Sequence, residues 1–246
     1  AAYGIFYQKP ESNLLMSKTD LNYTQAAHYL VNYIKTNSKY TFRIEAYYKK
    51  YKDLVTSYPS LSNNGDGYAQ GLELFWRDRS TFKWIEYWVS YSYLDTKRKF
   101  LNYPEQIQPT FATPHTLNVV AKKFITPWKA GFSFTYSFAT GRPYYFIANE
   151  PLKTKLQDQG TTKNYNNLDF SCYYLPQLGQ KNPKKSWLFF ASVKNVLNNK
   201  NIFNYEYNYN GSKKYPIMLP AQQTFFVGVF LTLGVDRTND IINNNL

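Results

Sequence analysis

The sequence has very few residues of the kinds that build disulfides, metal sites and catalytic dyads. Among its 246 residues there are one cysteine, Cys172, and two histidines, His28 and His115. A single cysteine excludes a disulfide within the chain, and these three residues lack the spacing of a zinc site. No G-x-S-x-G nucleophile elbow is present. His115 is the one weak candidate for a catalytic group, and a plain strand-end position accounts for it without chemistry. We therefore expect neither an enzyme nor a cofactor.

Long hydrophobic runs and acidic residues are also scarce. No run of about 18 apolar residues occurs, which excludes a transmembrane helix but not a membrane β-barrel. The chain begins AAYGIFYQ, without a methionine or a charged-then-apolar leader, so we expect a mature, processed or incomplete chain. Lys and Arg total 29 against 16 Asp and Glu, a net charge of +13. The basic residues form no single stripe, so we expect no nucleic-acid partner.

Aromatic residues, in contrast, make up 20% of the chain, with 25 Tyr and 18 Phe, while the mean hydropathy is −0.54. This combination suits a barrel with aromatic girdles and a polar interior. The stretch 222–234 has an apolar phase of period two, from Phe225 through Val229 to Leu233, which indicates a β-strand. Such a face points inward in a soluble sandwich and toward lipid in a transmembrane barrel.

The same alternation recurs along the chain and predicts ten strands. Except for Lys83 and Lys123 near strand ends, charges within them keep to the phase opposite the apolar residues, as expected where a charge facing mid-bilayer lipid costs about 2–4 kcal/mol. Phase alone does not distinguish a membrane barrel from a soluble barrel, which is its inside-out equivalent. The predicted strands are 1–8, 24–34, 40–49, 67–77, 82–94, 115–123, 129–139, 165–174, 187–196 and 222–234. The charges in the polar phase are Arg43, Glu45, Glu73, Arg77, Glu86, Lys122, Asp169 and Lys194.

The predicted connections alternate in length, which is typical of outer-membrane barrels with short periplasmic turns and long outer loops. The last long connection has room for a short hairpin around 203–209. Ten strands could also close into a small barrel of their own, with a filled or narrow interior. The short turns are 35–39, 78–81, 124–128 and 175–185, and the long connections are 9–23, 50–66, 95–113, 140–163 and 197–221.

Several stretches, taken in order, resemble the C-terminal part of the barrel of TonB-dependent outer-membrane receptors of the SusC-related type. They include GLELFWR, LDFSCYYL and FASVKNVLNNKNIFNYEY, and they occupy 26–55, 71–77, 113–124, 134–145, 168–175 and 190–207. The resemblance implies an all-β, antiparallel transmembrane barrel of 22 strands around an N-terminal plug, of which 1–234 would supply the last ten. The tail 235–246 departs from the family pattern and would extend into the periplasm.

The resemblance also implies partners and a location. The charged phase would face the lumen, and outer-membrane lipid of a Gram-negative bacterium would surround the barrel. The complete transporter would also contain the plug and the remaining strands, and a TonB complex would act through the plug. A surface lipoprotein is a further candidate partner. The implied function is import of a scarce nutrient such as a siderophore, an oligosaccharide or a peptide. A passive porin or a structural subunit of a larger outer-membrane complex is the alternative, and a soluble all-β binding protein is the third hypothesis.

Two long connections are rich in aromatic and amide side chains, in the stretches GRPYYF (141–146) and NIFNYEYNYN (201–210). Such side chains can stack on and hydrogen-bond to a sugar, a peptide or a siderophore. They can equally belong to an aromatic girdle or to the packing of the loops themselves. The candidate ligand contacts are Arg142, Tyr144, Tyr145, Tyr205, Tyr207 and Tyr209.

Overall fold

The computed structural model describes residues 1–83, 85–150, 153–180 and 185–234. The tail 235–246, for which a periplasmic position was predicted, lies outside the described residues. The elements are β1 (Ala2–Gln8), α1 (Ser12–Ser17), β2 (Thr24–Thr36), β3 (Tyr40–Thr56), β4 (Ser62–Asp78), β5 (Ile85–Lys99), β6 (His115–Ile125), a 3-10 turn (Thr126–Trp128), β7 (Ala130–Ala139), β8 (Pro143–Glu150), β9 (Lys153–Thr161), β10 (Tyr165–Tyr174), β11 (Lys185–Lys194), β12 (Ile202–Tyr207), β13 (Lys214–Met218) and β14 (Thr224–Leu233).

Ten of these strands form one antiparallel sheet in the order β1-β2-β3-β4-β5-β6-β7-β10-β11-β14. Each sheet strand overlaps a predicted one, so the all-β, antiparallel prediction is confirmed. The remaining strands form two separate hairpins, β8–β9 and β12–β13. The sheet does not close, because β1 and β14 pair with no strand beyond themselves among the described residues. The ten strands are therefore an open wall and not a small barrel of their own.

The register gives the sheet two chemically different faces. Residues directly opposite one another in an antiparallel pair share a face. Glu45 lies opposite Glu73, and Glu86 lies opposite Lys122, on the face that we call the charged face. The other face, the apolar face, carries aliphatic and aromatic side chains such as Val31, Phe134 and Val227, which are 61%, 50% and 78% exposed. A large apolar area left open on one side of a sheet indicates a membrane or protein contact.

Aromatic side chains border the apolar face at both ends. Near the short turns, Tyr40 stacks on Trp76 with ring centroids 5.1 Å apart. Toward the long loops, Tyr3, Tyr29 and Tyr48 lie in one row, with centroids 4.9 and 6.2 Å apart. From Tyr40 to Tyr48 the strand is about 27 Å long at ~3.4 Å per residue, which at a tilt of about 35–45° is roughly 19–22 Å of height, comparable to the roughly 25 Å apolar band of outer-membrane barrels. The sheet therefore has the height and the borders of a membrane-spanning wall.

The prediction of a long connection at 50–66 is wrong. Strands β3 and β4 continue past the apolar band, and residues 57–61 alone join them. Beyond Tyr48 the apolar face turns polar, with Lys50 and Lys52 exposed. Loss of the apolar phase marks the edge of the band, but it does not stop backbone pairing, because solvated lysines are compatible with a strand. The β3–β4 hairpin consequently projects beyond the band.

The other long connections lie at this same end of the sheet, which we call the loop end. Residues 9–23 contain α1, and 100–114 join β5 to β6. The two longest connections contain the β8–β9 and β12–β13 hairpins. The sequence predicts the second hairpin, around 203–209, but predicts only a loop where the first hairpin lies. Within the described residues, no helix is long and apolar enough to span a membrane.

Candidate ligand-binding site at the loop end

An amide network fixes the base of the β12–β13 connection. Asn195 follows β11 with a positive φ of 54°, a conformation that asparagine adopts more easily than most residues. Its buried side chain donates to the carbonyls of Asn199 and Gln222, at 2.9 and 2.8 Å. Because Gln222 lies just before β14, Asn195 ties together the two ends of the connection. The hairpin therefore leaves the sheet from a fixed base.

Asn201 attaches the start of β12 to β10. Its side-chain oxygen accepts from the backbone N–H of Asn166 at 3.0 Å, and its Nδ2 donates to the carbonyl of the same residue at 3.0 Å. Asn201 is 8% exposed, so water competes little for these bonds. The side chain of Asn201 thus satisfies the backbone N–H and C=O of Asn166, as a neighbouring strand would do, at the rim of the sheet.

The two hairpins pack on each other through aromatic rings. Tyr144 of β8 meets Tyr205 of β12 edge-on, with centroids 4.7 Å apart, and Phe146 lies 5.1 Å from Tyr207. Gly211, in the turn after β12, has a φ of +70°, and a Cβ there would collide with the ring of Phe146. The turn is therefore built for close approach to β8. Edge-on and offset aromatic pairs contribute about 0.5–1.5 kcal/mol each beyond their burial.

A charged group lies at the centre of this contact. The Lys214 ammonium donates to the Tyr144 hydroxyl at 2.8 Å and to Asp158 Oδ2 at 3.3 Å. The Tyr207 hydroxyl donates to the same carboxylate oxygen at 2.7 Å. That hydrogen bond, and then the one from Lys214, hold the pKa of Asp158 below its usual value. The bond to Tyr144 raises the pKa of Lys214, and burial followed by the bond to Asp158 raises the pKa of Tyr207.

The structure brings together three of the six predicted ligand contacts, namely Tyr144, Tyr205 and Tyr207. Their rings pack against one another, as the alternative of internal loop packing predicted, and all three residues stay partly exposed. Tyr145 points away from the cluster and donates to the carbonyl of Gln108 at 3.0 Å. The ligand role of these residues remains a prediction.

The other two candidates lie elsewhere. Arg142 lines a cavity of about 210 Å³ at the rim, together with Asn118 of β6 and Phe203 of β12. Tyr209 is fully exposed in the turn that joins β12 to β13. Sequence reasoning missed Asp158 and Lys214. Each lies in a stretch for which the sequence predicts only a loop, and no alternation of residues there indicates that the two side chains meet.

The register places all eight predicted lumen residues on the charged face. Arg77 Nε donates to Glu86 Oε1 at 2.6 Å, and Arg79 approaches the same carboxylate at 3.5 Å. Lys122 lies 4.9 Å from the ring centroid of Trp88. Cations thus outnumber carboxylates near the short-turn end. The orientation of this face toward a lumen stays a prediction, because the sheet is open. The other five are Arg43, Glu45, Glu73, Asp169 and Lys194.

In the part of the chain that the structure describes, neither histidine joins an acidic or thiol cluster. The described residues contain no group of three or more His, Cys, Asp or Glu side chains placed to hold a metal ion. His115 Nδ1 is 2.8 Å from the Tyr91 hydroxyl at the border of the apolar face. His28 lies against Phe6, with centroids 4.6 Å apart. Each therefore has a packing role at the end of the sheet.

An open antiparallel wall with one banded apolar face, one charged face and elaborated loops at one end defines a segment of an outer-membrane β-barrel. The family model for the TonB-dependent receptor-like β-barrel matches residues 31–196. The chain belongs to this family, whose members are Gram-negative outer-membrane proteins that carry N-terminal plugs and interact with TonB. This match does not distinguish the SusC-related type from other types, or a C-terminal position in the barrel from another position.

Solved structures agree with the family. The outer membrane transporter YddB from Escherichia coli is 14% identical with a TM-score of 0.64, over 85% of this chain and 33% of that one. The ferric yersiniabactin uptake receptor FyuA from Yersinia pestis is 16% identical with a TM-score of 0.63, over 87% and 30%. The ferric-catecholate import receptor Fiu from E. coli is 13% identical with a TM-score of 0.64, over 92% and 32%. The chain thus spans about a third of their length, and at these identities the likeness is one of fold. A search of curated proteins returns no match.

Proposed function

We propose that this chain is the C-terminal wall of a TonB-dependent receptor that imports a scarce nutrient through an outer membrane. The observation that carries the proposal is the pair of docked hairpins standing on the loop end of a two-faced membrane wall. Long outer loops are general in outer-membrane barrels, but here two hairpins are fixed to each other by aromatic pairs and charged hydrogen bonds, which makes an ordered surface on which a ligand can bind. The aromatic and polar side chains of the hairpins supply the kinds of contact that bind a soluble ligand.

The charged face supports the same function. In this proposal it lines the lumen around a plug encoded elsewhere in the full-length protein, and TonB acts on that plug. The open edges at β1 and β14 are where the remaining strands pair. The SusC-related type and a surface lipoprotein partner belong to this proposal, and an oligosaccharide or a peptide is then a candidate ligand beside a siderophore.

The alternative of a passive porin or structural subunit rests on the charged face itself, which would suit a water-filled lumen. The two functions differ in their energy requirement, because a porin conducts without TonB.

The test uses a strain in which the full-length gene is deleted and then restored. Growth is measured with limiting siderophore-bound iron, oligosaccharide or peptide, with and without a functional TonB. We expect one nutrient to require both the gene and TonB. Uptake that needs the gene but is unchanged without TonB would establish the porin instead. Growth independent of the gene on every nutrient would contradict import.

A further inference from the structure

The Lys214 ammonium lies in a pocket whose walls have the chemistry of a cation-binding site. Its Nζ is 4.5 Å from the ring centroid of Tyr144 and 5.5 Å from that of Tyr205. The Asp158 carboxylate and the Tyr144 hydroxyl complete the pocket, at 3.3 and 2.8 Å. Aromatic faces together with a carboxylate recognise ammonium groups and disfavour anions.

The walls of the pocket are held independently of Lys214. Tyr144 and Tyr205 support each other edge-on at 4.7 Å. Gly160 lies opposite Tyr144 across the β8–β9 pair, and a Cβ at this glycine would clash with the tyrosine hydroxyl. The Tyr207 hydroxyl donates to Asp158 at 2.7 Å, and this hydrogen bond does not involve Lys214. When the groups of a site are already oriented, less free energy is spent on ordering side chains as a ligand binds.

The resident ammonium can leave this pocket. The side chains of Lys214 and Asp158 are 38% and 42% exposed, so one side of the pocket is open to water. Lysine carries its strongly hydrated charge on a flexible four-carbon stem, which allows the ammonium to move into solvent without backbone change. The pocket is therefore occupied by a group that a ligand of like chemistry can replace.

We infer that Tyr144, Tyr205 and Asp158 form a binding site for an alkylammonium group, which enters by exchange with the Lys214 side chain. The ligand class is a molecule with a protonated amine on an alkyl chain. The inference rests on the proposed function only in placing the hairpins at the cell surface, where such a ligand is encountered.

The first test measures binding of n-butylammonium chloride, which reproduces the missing side chain, to the purified full-length receptor. Lys214→Ala empties the pocket and is expected to bind the probe about tenfold more tightly than wild type. Lys214→Met refills the pocket with an uncharged stem and should bind no better than wild type. Adding Asp158→Asn to Lys214→Ala should weaken binding about tenfold, as for loss of a partly exposed charged hydrogen bond. Equal binding by the Ala and Met variants would overturn the inference.

A second test uses the unaltered protein and therefore does not depend on folding of a variant. Lysine acylation by a water-soluble ester is followed by peptide mass spectrometry as N,N-dimethylbutylammonium is added, because this tertiary ammonium has the same alkyl chain and forms no stable amide with the ester. Exchange predicts faster acylation of Lys214, with no change at the exposed neighbour Lys213. Unchanged acylation of Lys214 at a probe concentration that saturates Lys214→Ala would contradict exchange. Neither test involves transport, so import without ammonium binding overturns this inference alone. Ammonium binding without TonB-dependent uptake overturns the proposed function alone.

Discussion

A charge placed on the apolar face should destabilise the protein far more than the same charge one residue away on the charged face. Ala191 and Ser192 are adjacent on β11 and similar in size. Ala191 lies on the apolar face, opposite Cys172 and Val227. Ser192 lies on the charged face, where it lines a cavity of about 240 Å³ together with Asp169. Substitution of each by arginine therefore differs chiefly in the face that receives the charge.

The expected magnitudes follow from the depth of each site. Ala191 lies between Trp187, near one end of the band, and Val193, so Ala191→Arg places a guanidinium within the apolar region. The cost is about 2–4 kcal/mol at mid-bilayer, or roughly 30- to 900-fold in the ratio of folded to unfolded protein. Ser192→Arg should change stability by about 0.5 kcal/mol or less, because the cavity is polar and contains a carboxylate.

The assay is reversible denaturant unfolding of the full-length receptor in lipid vesicles, followed by tryptophan fluorescence. Ala130→Arg is the depth control, because Ala130 begins β7 at the turn end of the same face, where the cost falls to about 0–1 kcal/mol. Equal costs for Ala191→Arg and Ser192→Arg would refute the assignment of faces. Equal costs for Ala191→Arg and Ala130→Arg would refute a membrane band bounded at the short turns.

Two further predictions concern the docked hairpins. Because the pKa of Asp158 is lowered from 3.8 and that of Lys214 is raised from 10.5, their contribution is lost only as pH falls through the lowered value or rises through the raised one. Hydrogen exchange of both hairpins should therefore stay constant between about pH 5 and 9 after correction for the intrinsic rate, and undocking within that range would contradict the pairing. Gly211→Ala should separate the hairpins, because its Cβ would collide with the Phe146 ring, whereas adding Phe146→Ala removes the clash and keeps the backbone strain at a φ of +70°. Similar protease sensitivity of the β12–β13 turn in both variants would show that Phe146 sets no limit there.

The sheet could be predicted from the sequence because its information is local. Alternation of period two, with the charges between the strand ends confined to one phase, is visible in the sequence of the membrane-band part of the strands. In β3 the order Phe42, Arg43, Ile44, Glu45 specifies the face of every side chain. The ends of β3 and β4 could not be predicted in the same way, because the phase is lost at the membrane border while backbone pairing continues to Thr56.

The site could be predicted only in part. The tyrosines were found by composition, but their partners depend on contacts between two connections far apart in the chain. Tyr144 and Tyr145 are adjacent, and strand geometry sends them to opposite sides of β8, which was predicted as loop. Lys214 and Asp158 are ordinary surface charges in the sequence. Only the docking of the hairpins brings them together.

The most direct test of the central claim asks which face of the sheet meets lipid. A fluorophore is attached at Val119→Cys or at Asn118→Cys, adjacent positions on β6, in full-length receptor that carries Cys172→Ala and is reconstituted in vesicles. We predict quenching at position 119 by nitroxide-labelled acyl chains, and no such quenching at position 118, which lies on the charged face. Acyl-chain quenching at 118 and not at 119, or at neither position, would contradict a membrane wall with its apolar face outward.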